Sequence, residues 1–367
     1  MIRRLAAAAG LVAIPAAAGR LVVGRAADRL LDAPRTAAGE ADLGPALDAL
    51  GGEVVRLRSR DGLRLAGRWL PSEHAPGGEG DASGEGDASG EGDARTGGWR
   101  PDPHEAILLL HGWSGSVAPD VVEYGPFLRR VAGVLGLDFR GHGGSDDAPT
   151  TFGLTEVEDV AGALAWLGER GVRRVALFGT SMGGVTALAS IVVLGDGTLV
   201  SSDVNPDMPA HDIAAPRPDI VAAAVESVPP EVTVPVANRM RVPFRRFLAA
   251  QTFEVASRRV GGDIRATEPI RIIGLIEAVP LLLIHDADDR TVPIGDGERL
   301  RAAAGPHAEE WIVPGADHSA GHRTDPAAYE SRVGDFLRRA FVEARARHSI
   351  IREPVTDEVP DGGQKGD

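Results

Sequence analysis

The most constraining stretch of this sequence is an apolar run, Val175–Phe178, that ends in Gly179-Thr180-Ser181-Met182-Gly183. The apolar run predicts a buried strand, and the Ala/Val/Leu-rich run Val185–Leu194 predicts a helix, with Ser181 at the apex of a sharp turn between them. Glycines on both sides of the serine remove the Cβ atoms that would collide in such a turn. The turn also holds the hydroxyl at a helix N-terminus, where backbone N–H groups favour developing negative charge.

Further apolar runs of strand length alternate with helix-like segments: Ala106–Leu110, Val131–Leu137, Ile220–Val225, Leu281–His285 and Glu310–Val313. Continuous apolar runs are typical of strands buried on both faces, and their alternation with helices implies right-handed crossovers. Residues 53–70 predict a hairpin with Asp61-Gly62 as its turn. Thr155 and Glu158 are spaced as a capping box at the start of one helix. The pattern predicts an α/β fold with a mostly parallel central sheet and helices on both faces.

The ends of the chain and one internal repeat depart from this pattern. Residues 1–35 begin with Arg3-Arg4 and an apolar run, which predict a secretory signal peptide or a membrane anchor; the alternative is an alanine-rich helix on the body or on a membrane surface. Residues 76–98 repeat Gly-Glu-Gly-Asp-Ala-Ser and have no apolar face to bury, which predicts a disordered insert. Residues 346–367 predict a disordered tail, and residues 53–345 are expected to form the folded domain.

Residues 195–277 predict a cap inserted after the helix that follows Ser181. The beginning of this range is polar and rich in Pro and Asp, and its later part has mixed helical character. An insertion at this point lies beside the carboxyl ends of the strands, where a binding site is expected. We expect Phe244, Phe247, Leu248 and Phe253 either to form the apolar underside of the cap or to pack against the body.

Charge and cysteine content exclude several classes of function. The net charge of −14 argues against a nucleic-acid partner, because phosphate binding needs clustered Lys and Arg. The absence of cysteine excludes disulfides, thiolate zinc sites and a cysteine nucleophile. His318 and His322 are spaced i, i+4, but they follow Pro314-Gly315 in a predicted loop, and no Glu stands at a metalloprotease position. We therefore expect neither a metal nor a cofactor.

Ser181, Asp289 and His318 each follow a predicted strand, so the three side chains are expected to meet at one edge of the sheet. A neutral serine is a poor nucleophile. It needs a histidine to take its proton and a carboxylate to orient that histidine and stabilise it when charged. The chain order of serine, acid and histidine is that of hydrolases with a nucleophile elbow.

Five motifs together make the chain resemble the serine hydrolases of the α/β-hydrolase fold, a group that includes Bem46-like hydrolases, monoglyceride-lipase-like esterases and serine aminopeptidase-like esterases. The motifs are His111-Gly112, residues 138–145 (Asp-Phe-Arg-Gly-His-Gly-Gly-Ser), Gly179-Thr180-Ser181-Met182-Gly183, Asp289 before Val292-Pro293, and Gly315-Ala316-Asp317-His318-Ser319. The resemblance covers residues 53–345 and implies that Ser181 is the nucleophile, Asp289 the acid and His318 the base. It also implies that the backbone N–H groups of Trp113 and Met182 form an oxyanion hole.

Neighbouring residues compete for two of these roles. Asp289 is favoured as the acid because it stands three residues before Val292-Pro293, where the family places its acid. Asp288 is the main alternative, and Asp286, where the family usually has glycine, is expected to cap the turn. His322 is an alternative base, although His318 lies nearer the strand end.

A serine at the apex implies acyl transfer to water through an acyl-enzyme, with carboxylic esters as the expected substrates. The alternatives are a peptidase or acyltransferase on the same scaffold, and a non-catalytic binding member of the fold. The expected partner is a small acyl ester. Membrane association through the N-terminus is also expected, with export or anchoring favoured over a cytoplasmic location. His111, Asp138, Arg140 and His142 are expected to shape loops rather than to take part in the reaction.

Overall fold

The computed structural model describes residues 19–36, 40–73, 98–113, 115–195 and 217–351. Within these ranges one sheet is formed by β1 Glu53–Arg58, β2 Arg64–Leu70, β3 Glu105–Leu110, β4 Gly133–Leu137, β5 Arg174–Thr180, β6 Asp219–Glu226, β7 Leu281–Asp286 and β8 Ala308–Val313. The strand order is β1-β2-β4-β3-β5-β6-β7-β8. Strand β2 pairs antiparallel with β1 and β4, whereas the pairs from β4 through β8 are parallel. The predicted fold class is therefore confirmed.

Helices connect these strands and cover both faces of the sheet. They are α1 (residues 19–31), α2 Gly44–Leu50, α3 Ala118–Leu128, α4 Glu156–Glu169, α5 Met182–Leu194, α6 Thr233–Arg239, α7 Arg245–Val260, α8 Pro269–Ile272, α9 Ile294–Ala304, α10 Gly321–Thr324 and α11 Pro326–Ile351. The connection from β5 to β6 passes through α5, and α6 to α8 lie between β6 and β7.

Strand β3 illustrates why the sheet is buried on both faces. Every residue of β3 is at most 1% exposed. Leu108 and Leu110 pack into the core shared with α4 and α5, whereas Ile107 and Leu109 pack into the core shared with α3 and α11. Burial of each such side chain contributes about 1.5–3 kcal/mol relative to leaving it exposed. The run Ala106–Leu110 is therefore apolar on both faces. Glu105, at the start of the strand, is buried in ion pairs with Arg174 and Arg345.

The hydrogen bonds of Asp138 and Arg140 hold the loop after β4. Asp138 accepts from the backbone N–H of Val117 at 2.8 Å and from that of Gly144 at 2.9 Å. The Arg140 guanidinium makes a two-pronged contact with the Asp159 carboxylate, with N–O distances of 2.7 and 3.0 Å. These contacts agree with the structural role predicted for both side chains.

Several predicted segments lie wholly or partly outside the described residues. These are positions 1–18 of the signal or anchor segment, nearly all of the repeat at 76–98, positions 196–216 of the insertion and positions 352–367 of the tail.

Helix α1 packs on the body through Ala27, Leu30 and Leu31, which are buried. Helix α11 continues to Ile351, six residues into the range expected to be a tail. In the ranges that the structure describes, no helix combines the length and apolar character needed to cross a bilayer.

The range 195–277 contains both a strand of the sheet and a separate helical part. Strand β6 lies within this range, and α6 to α8 follow it. Phe253 is buried and Leu248 is half-buried, in agreement with the expected packing. Phe244 and Phe247 are exposed, however, so for these two residues the expectation that they form the underside of the cap or pack against the body is wrong.

Candidate active site

The turn from β5 into α5 holds Ser181 in a strained conformation. Its φ is 49° and its ψ is −112°, in a region that non-glycine residues rarely adopt. The glycines beside it are required by close backbone contacts. A Cβ on Gly183 would lie 2.0 Å from the carbonyl oxygen of Leu110, and a Cβ on Gly179 would lie 2.6 Å from that of Gly183. The tight packing of this turn against β3 fixes the serine at the carboxyl edge of the sheet.

The side chains of Ser181, His318 and Asp289 form one hydrogen-bonded chain. His318 Nε2 lies 3.1 Å from Ser181 Oγ, and His318 Nδ1 lies 2.7 Å from Asp289 Oδ2. When Nδ1 carries the proton and donates to the carboxylate, Nε2 is left as the acceptor that faces the serine hydroxyl. Ser181 follows β5, Asp289 follows β7 and His318 follows β8. The structure therefore brings together three residues that are far apart in the sequence.

The Asp289 carboxylate is buried and well supplied with hydrogen-bond donors. Its Oδ1 accepts from the backbone N–H groups of Thr291 at 2.7 Å and Val292 at 2.8 Å. Burial raises the pKa of Asp289, but the hydrogen bonds from His318 and from the two amides outweigh burial, so the pKa is lowered overall. Asp289 is thus an anion at neutral pH and can stabilise a protonated His318.

The alternative base and the alternative acid have different surroundings. The His322 ring stacks on Phe127 with centroids 5.6 Å apart, and its Nε2 lies 3.3 Å from Glu330 Oε1. Burial lowers the pKa of His322, but Glu123 and Glu330 outweigh burial and raise it overall. Asp288 is exposed, whereas Asp289 is buried. The hydrogen-bonded chain to Ser181 therefore runs through His318 and Asp289, not through His322 or Asp288.

The two residues whose backbone N–H groups are predicted to form the oxyanion hole belong to the loop after β3 and to the start of α5. Met182 is the first residue of α5 and is 2% exposed. The loop after β3 approaches from the other side, where a Cβ on Gly112 would lie 3.7 Å from Ser181 Cβ. Trp113 follows in that loop, and its Nε1 donates to the carbonyl oxygen of Leu30 at 3.3 Å. Trp113 and Met182 line the same cavity as the serine.

A cavity of about 520 Å³ opens over Ser181. Its walls come from α1, from the loops after β3, β5 and β8, from the starts of α3 and α5, and from the region around α6, with further single residues from α7, α10 and the segment before α4. Much of the lining is apolar, and it includes Leu30, Met182, Val185, Val232, Pro235 and Val236. Sequence reasoning missed the part that α1 plays in this wall, because residues 1–35 carry the signature of a leader rather than of a structural helix.

The Ser227 hydroxyl connects Asp289 to a second buried acid. Ser227 Oγ lies 2.7 Å from Asp286 Oδ2 and 3.1 Å from Asp289 Oδ2. It also accepts from the backbone N–H of Ser319, the residue after His318, at 3.1 Å. One side chain at the end of β6 thus links the carboxylate of the hydrogen-bonded chain to the loop that carries the histidine.

Glu226 and Asp286 form a buried pair of carboxyl groups at the ends of β6 and β7. Both residues are 0% exposed. Glu226 Oε2 accepts from the Tyr329 hydroxyl at 2.6 Å, and Oε1 accepts from the backbone N–H of Gly321 at 2.9 Å. A Cβ on Gly321 would lie 2.9 Å from Glu226 Oε1 and 3.0 Å from Asp286 Oδ1, so the two carboxyl groups converge on this glycine. Sequence reasoning missed Glu226. The signal that could have identified it is an acidic residue at the end of an apolar strand.

The two buried carboxyl groups cannot both be ionised at neutral pH. Burial and the nearby Asp286 carboxylate raise the pKa of Glu226 to about 8, and burial also raises the pKa of Asp286. A proton held by Glu226 can be donated to Asp286, whose Oδ1 lacks another partner among the described residues. The pair is therefore expected to share one proton up to about pH 8.

We expect this shared proton to make folding stability depend on pH. The folded pKa of Glu226, about 8, lies above the usual value near 4.5, so the folded state holds a proton that the unfolded state has lost between these values. The stability advantage of the wild type over Glu226→Gln should shrink as pH rises through that window and then level off. Melting temperatures of both proteins from pH 5 to about pH 9 test this expectation. The exposed Glu254, changed to Gln, is the matched control and should show no such trend. A stability advantage of the wild type over Glu226→Gln that grows with pH would contradict the expectation.

Comparison with known proteins adds a family assignment to this geometry. The model of a family described as the alpha/beta hydrolase family matches residues 107–332. Among curated proteins, the uncharacterized protein YfhR of Escherichia coli O157:H7 is 24% identical over 300 residues, which cover 80% of this chain and 81% of YfhR. The family match confirms the resemblance on which the site residues were chosen.

Solved structures show the same fold at low sequence identity. The esterase Pf2001 of Pyrococcus furiosus superimposes with a TM-score of 0.57 and 20% identity, covering 84% of this chain and 98% of the esterase. A membrane phospholipase A, described as a bacterial virulence factor, superimposes with a TM-score of 0.51 and 17% identity, covering 93% of this chain and 99% of that protein. At these identities the likeness establishes the fold.

Proposed function

We propose that this chain, which belongs to the alpha/beta hydrolase family, is a serine hydrolase that cleaves carboxylic esters through an acyl-enzyme intermediate. The observation that carries the proposal is the hydrogen-bonded chain from Ser181 Oγ through His318 to Asp289, with distances of 3.1 and 2.7 Å. This arrangement supplies a nucleophile, a base and an orienting carboxylate, which are the groups that acyl transfer requires.

The proposed reaction has two halves. In the first, Ser181 Oγ attacks the ester carbonyl carbon while His318 Nε2 takes the hydroxyl proton, and Asp289 stabilises the resulting imidazolium. The proton on Nε2 then passes to the departing alcohol as the C–O bond of the ester breaks. In the second half, water loses a proton to Nε2 and attacks the acyl-enzyme, and the proton returns to Ser181 Oγ as the acid is released.

The oxyanion that forms in each half needs hydrogen-bond donors. We assign this role to the backbone N–H groups of Trp113 and Met182, because both residues line the cavity together with Ser181. Donors placed in advance at the site of developing charge cost no reorganisation during the reaction, and each contributes about 10²–10³ in rate.

The cavity supports an acyl ester rather than a highly charged substrate. Its volume of about 520 Å³ suits a small organic molecule, and apolar side chains such as Leu30, Val185 and Val236 make up much of its lining. The helical part of the insertion, α6 to α8, is the segment to which we assign the role of a cap, since α6 supplies one wall of this cavity.

Labelling with a fluorophosphonate probe tests the proposal directly, because the probe reacts only with an activated serine. We expect covalent labelling of the wild type at the peptide that contains Ser181, detected by mass spectrometry, and loss of labelling in Ser181→Ala. Ser190→Ala is the matched control: Ser190 is on the same helix, is buried, and its hydroxyl has no partner among the described residues. Absence of labelling in the wild type, or equal labelling in Ser181→Ala, would reject the proposed mechanism.

A further inference from the structure

The segment that joins α6 to α7 exposes aromatic side chains. We call residues 239–247 (Arg-Met-Arg-Val-Pro-Phe-Arg-Arg-Phe) the basic–aromatic segment. Phe244 is 83% exposed and Phe247 is 63% exposed, whereas the other seven of the nine phenylalanines in the chain are buried. Because burial of a phenylalanine ring is strongly favourable, two exposed rings in one short segment indicate a surface that is covered by a partner.

The backbone of this segment is fixed rather than loosely placed. Phe244 has a φ of 57° and a ψ of 24°, a left-handed conformation that is strained for a residue with a side chain. Its carbonyl oxygen accepts from the N–H of Leu248 at 3.1 Å, so the strained residue begins α7. Helix α7 is itself anchored by Ala249 and Phe253, which are fully buried. The exposed rings therefore project from a rigid support.

The same segment is strongly positive in a chain that is strongly negative. It contains four arginines and no acidic residue, whereas the whole chain has a net charge of −14. Arg241, Arg245 and Arg246 are exposed, and none of the four arginines forms an ion pair with another described residue. The segment thus offers cationic groups, with no ion-pair partner in the part of the chain that the structure describes, interleaved with apolar ones.

The basic–aromatic segment lies at the rim of the cavity over Ser181. Its first two residues, Arg239 and Met240, line that cavity. Arg29 of α1 lines it as well and is exposed. A surface that binds at this segment is therefore brought close to the cavity mouth.

We propose that the basic–aromatic segment docks the protein onto the anionic surface of a phospholipid bilayer. Guanidinium groups bind lipid phosphates, and aromatic rings insert at the boundary between headgroups and acyl chains, which are the two contacts that this segment offers side by side. A second copy of the chain is disfavoured as the occupant, because two such segments would bring eight like charges together. This inference goes beyond the proposed ester hydrolysis and does not depend on it.

Sedimentation of the full chain with vesicles tests the docking surface. We expect binding to phosphatidylcholine–phosphatidylglycerol vesicles, much weaker binding to phosphatidylcholine alone, and release by salt. The double change of Phe244 and Phe247 to Ser and the triple change of Arg241, Arg245 and Arg246 to Gln should each weaken binding roughly 10-fold or more.

Matched controls alter exposed apolar side chains and exposed arginines elsewhere. Leu275→Ser with Val342→Ser removes two other exposed apolar side chains, and Arg100, Arg332 and Arg339 changed to Gln remove three other exposed arginines. Both controls should bind as the wild type does. The Ser181→Ala chain should also bind normally, so a failure of the proposed enzymatic activity would be recognised separately.

A tryptophan at the segment reports the contact itself, independently of any binding through the N-terminus. The chain has five native tryptophans, so their contribution is removed by subtracting the wild-type spectrum recorded under the same conditions. The difference emission of Phe244→Trp should shift to shorter wavelength with anionic vesicles and be quenched by lipids brominated on the acyl chains; that of Leu275→Trp should show neither effect. Vesicle-bound protein with unchanged emission from Phe244→Trp would overturn the proposal. So would lipid-independent self-association that the Phe244 and Phe247 changes abolish, since that result would assign the surface to a second copy.

Discussion

Replacement of Ser181 by alanine is expected to lower kcat/KM for a p-nitrophenyl ester by roughly 10⁴–10⁶-fold. The change removes the only oxygen within hydrogen-bonding distance of His318 Nε2 among the described side chains, so no acyl-enzyme can form there. Binding in the cavity and the backbone donors would account for the residual rate. Alanine keeps the Cβ and the same strained backbone at this position, so the melting temperature should change little.

Initial rates measured with matched protein concentrations check this expectation. Ser190→Ala, on the same helix but with its hydroxyl unpartnered among the described residues, should retain the wild-type rate. A Ser181→Ala protein that hydrolyses the ester as fast as the wild type does would mean that the activity belongs to another site or to a contaminant.

Replacement of Asp289 by asparagine is expected to lower kcat by roughly 10⁴-fold. Asp289 accepts from two backbone amides through Oδ1, so the asparagine oxygen is expected to take that position and its NH₂ group to face His318. The histidine would then hold its proton on Nε2, which is the wrong tautomer for taking a proton from Ser181. The negative charge that stabilises the imidazolium is lost as well. KM should change little, because Asp289 does not line the cavity.

The neighbouring acid provides the control for this experiment. Asp288→Asn makes the same chemical change one residue away, at an exposed side chain. Its kcat should stay close to that of the wild type. A large loss in Asp288→Asn with a small loss in Asp289→Asn would transfer the role of the acid to Asp288 and would contradict the hydrogen-bonding pattern on which the assignment rests.

The strands could be predicted from the sequence because burial on both faces produces a continuous run of apolar residues. The run Ala106–Leu110 was predicted as a strand, and β3 spans Glu105–Leu110. A strand buried on both faces is mostly apolar, so an apolar run locates it to within about one residue. Here the run misses Glu105, which is buried through ion pairs with Arg174 and Arg345. Because Ser181, Asp289 and His318 each come after one of these strands, their meeting at one edge of the sheet could be expected.

Contacts between distant segments could not be predicted in the same way. The capping box at Thr155 was wrong: the Thr155 hydroxyl pairs with that of Thr151 at 2.7 Å, and Glu158 forms an ion pair with Arg60. Glu158 thus pairs with a residue 98 positions away in the sequence and not with the start of its own helix. Glu226 was missed for a similar reason, since its importance depends on Asp286 of the next strand.

The prediction that Phe244 is buried failed for a different reason. An aromatic residue in an apolar pattern predicts burial, and the prediction holds for Phe253 nine residues later. What distinguishes Phe244 is its left-handed backbone at the start of α7. No local sequence rule assigns that conformation to phenylalanine, which adopts it rarely.

The sheet order distributes the three residues of the proposed triad between two halves of the chain. The serine leaves the sheet from β5, whereas the acid and the histidine leave it from β7 and β8, and β5 and β6 pair side by side at the junction. If the proposed triad is correct, two polypeptides divided between α5 and β6 would each carry only part of it and would each be inactive. Enzymatic turnover after mixing would report their reassembly, which makes this junction a natural place to build a fragment-complementation reporter.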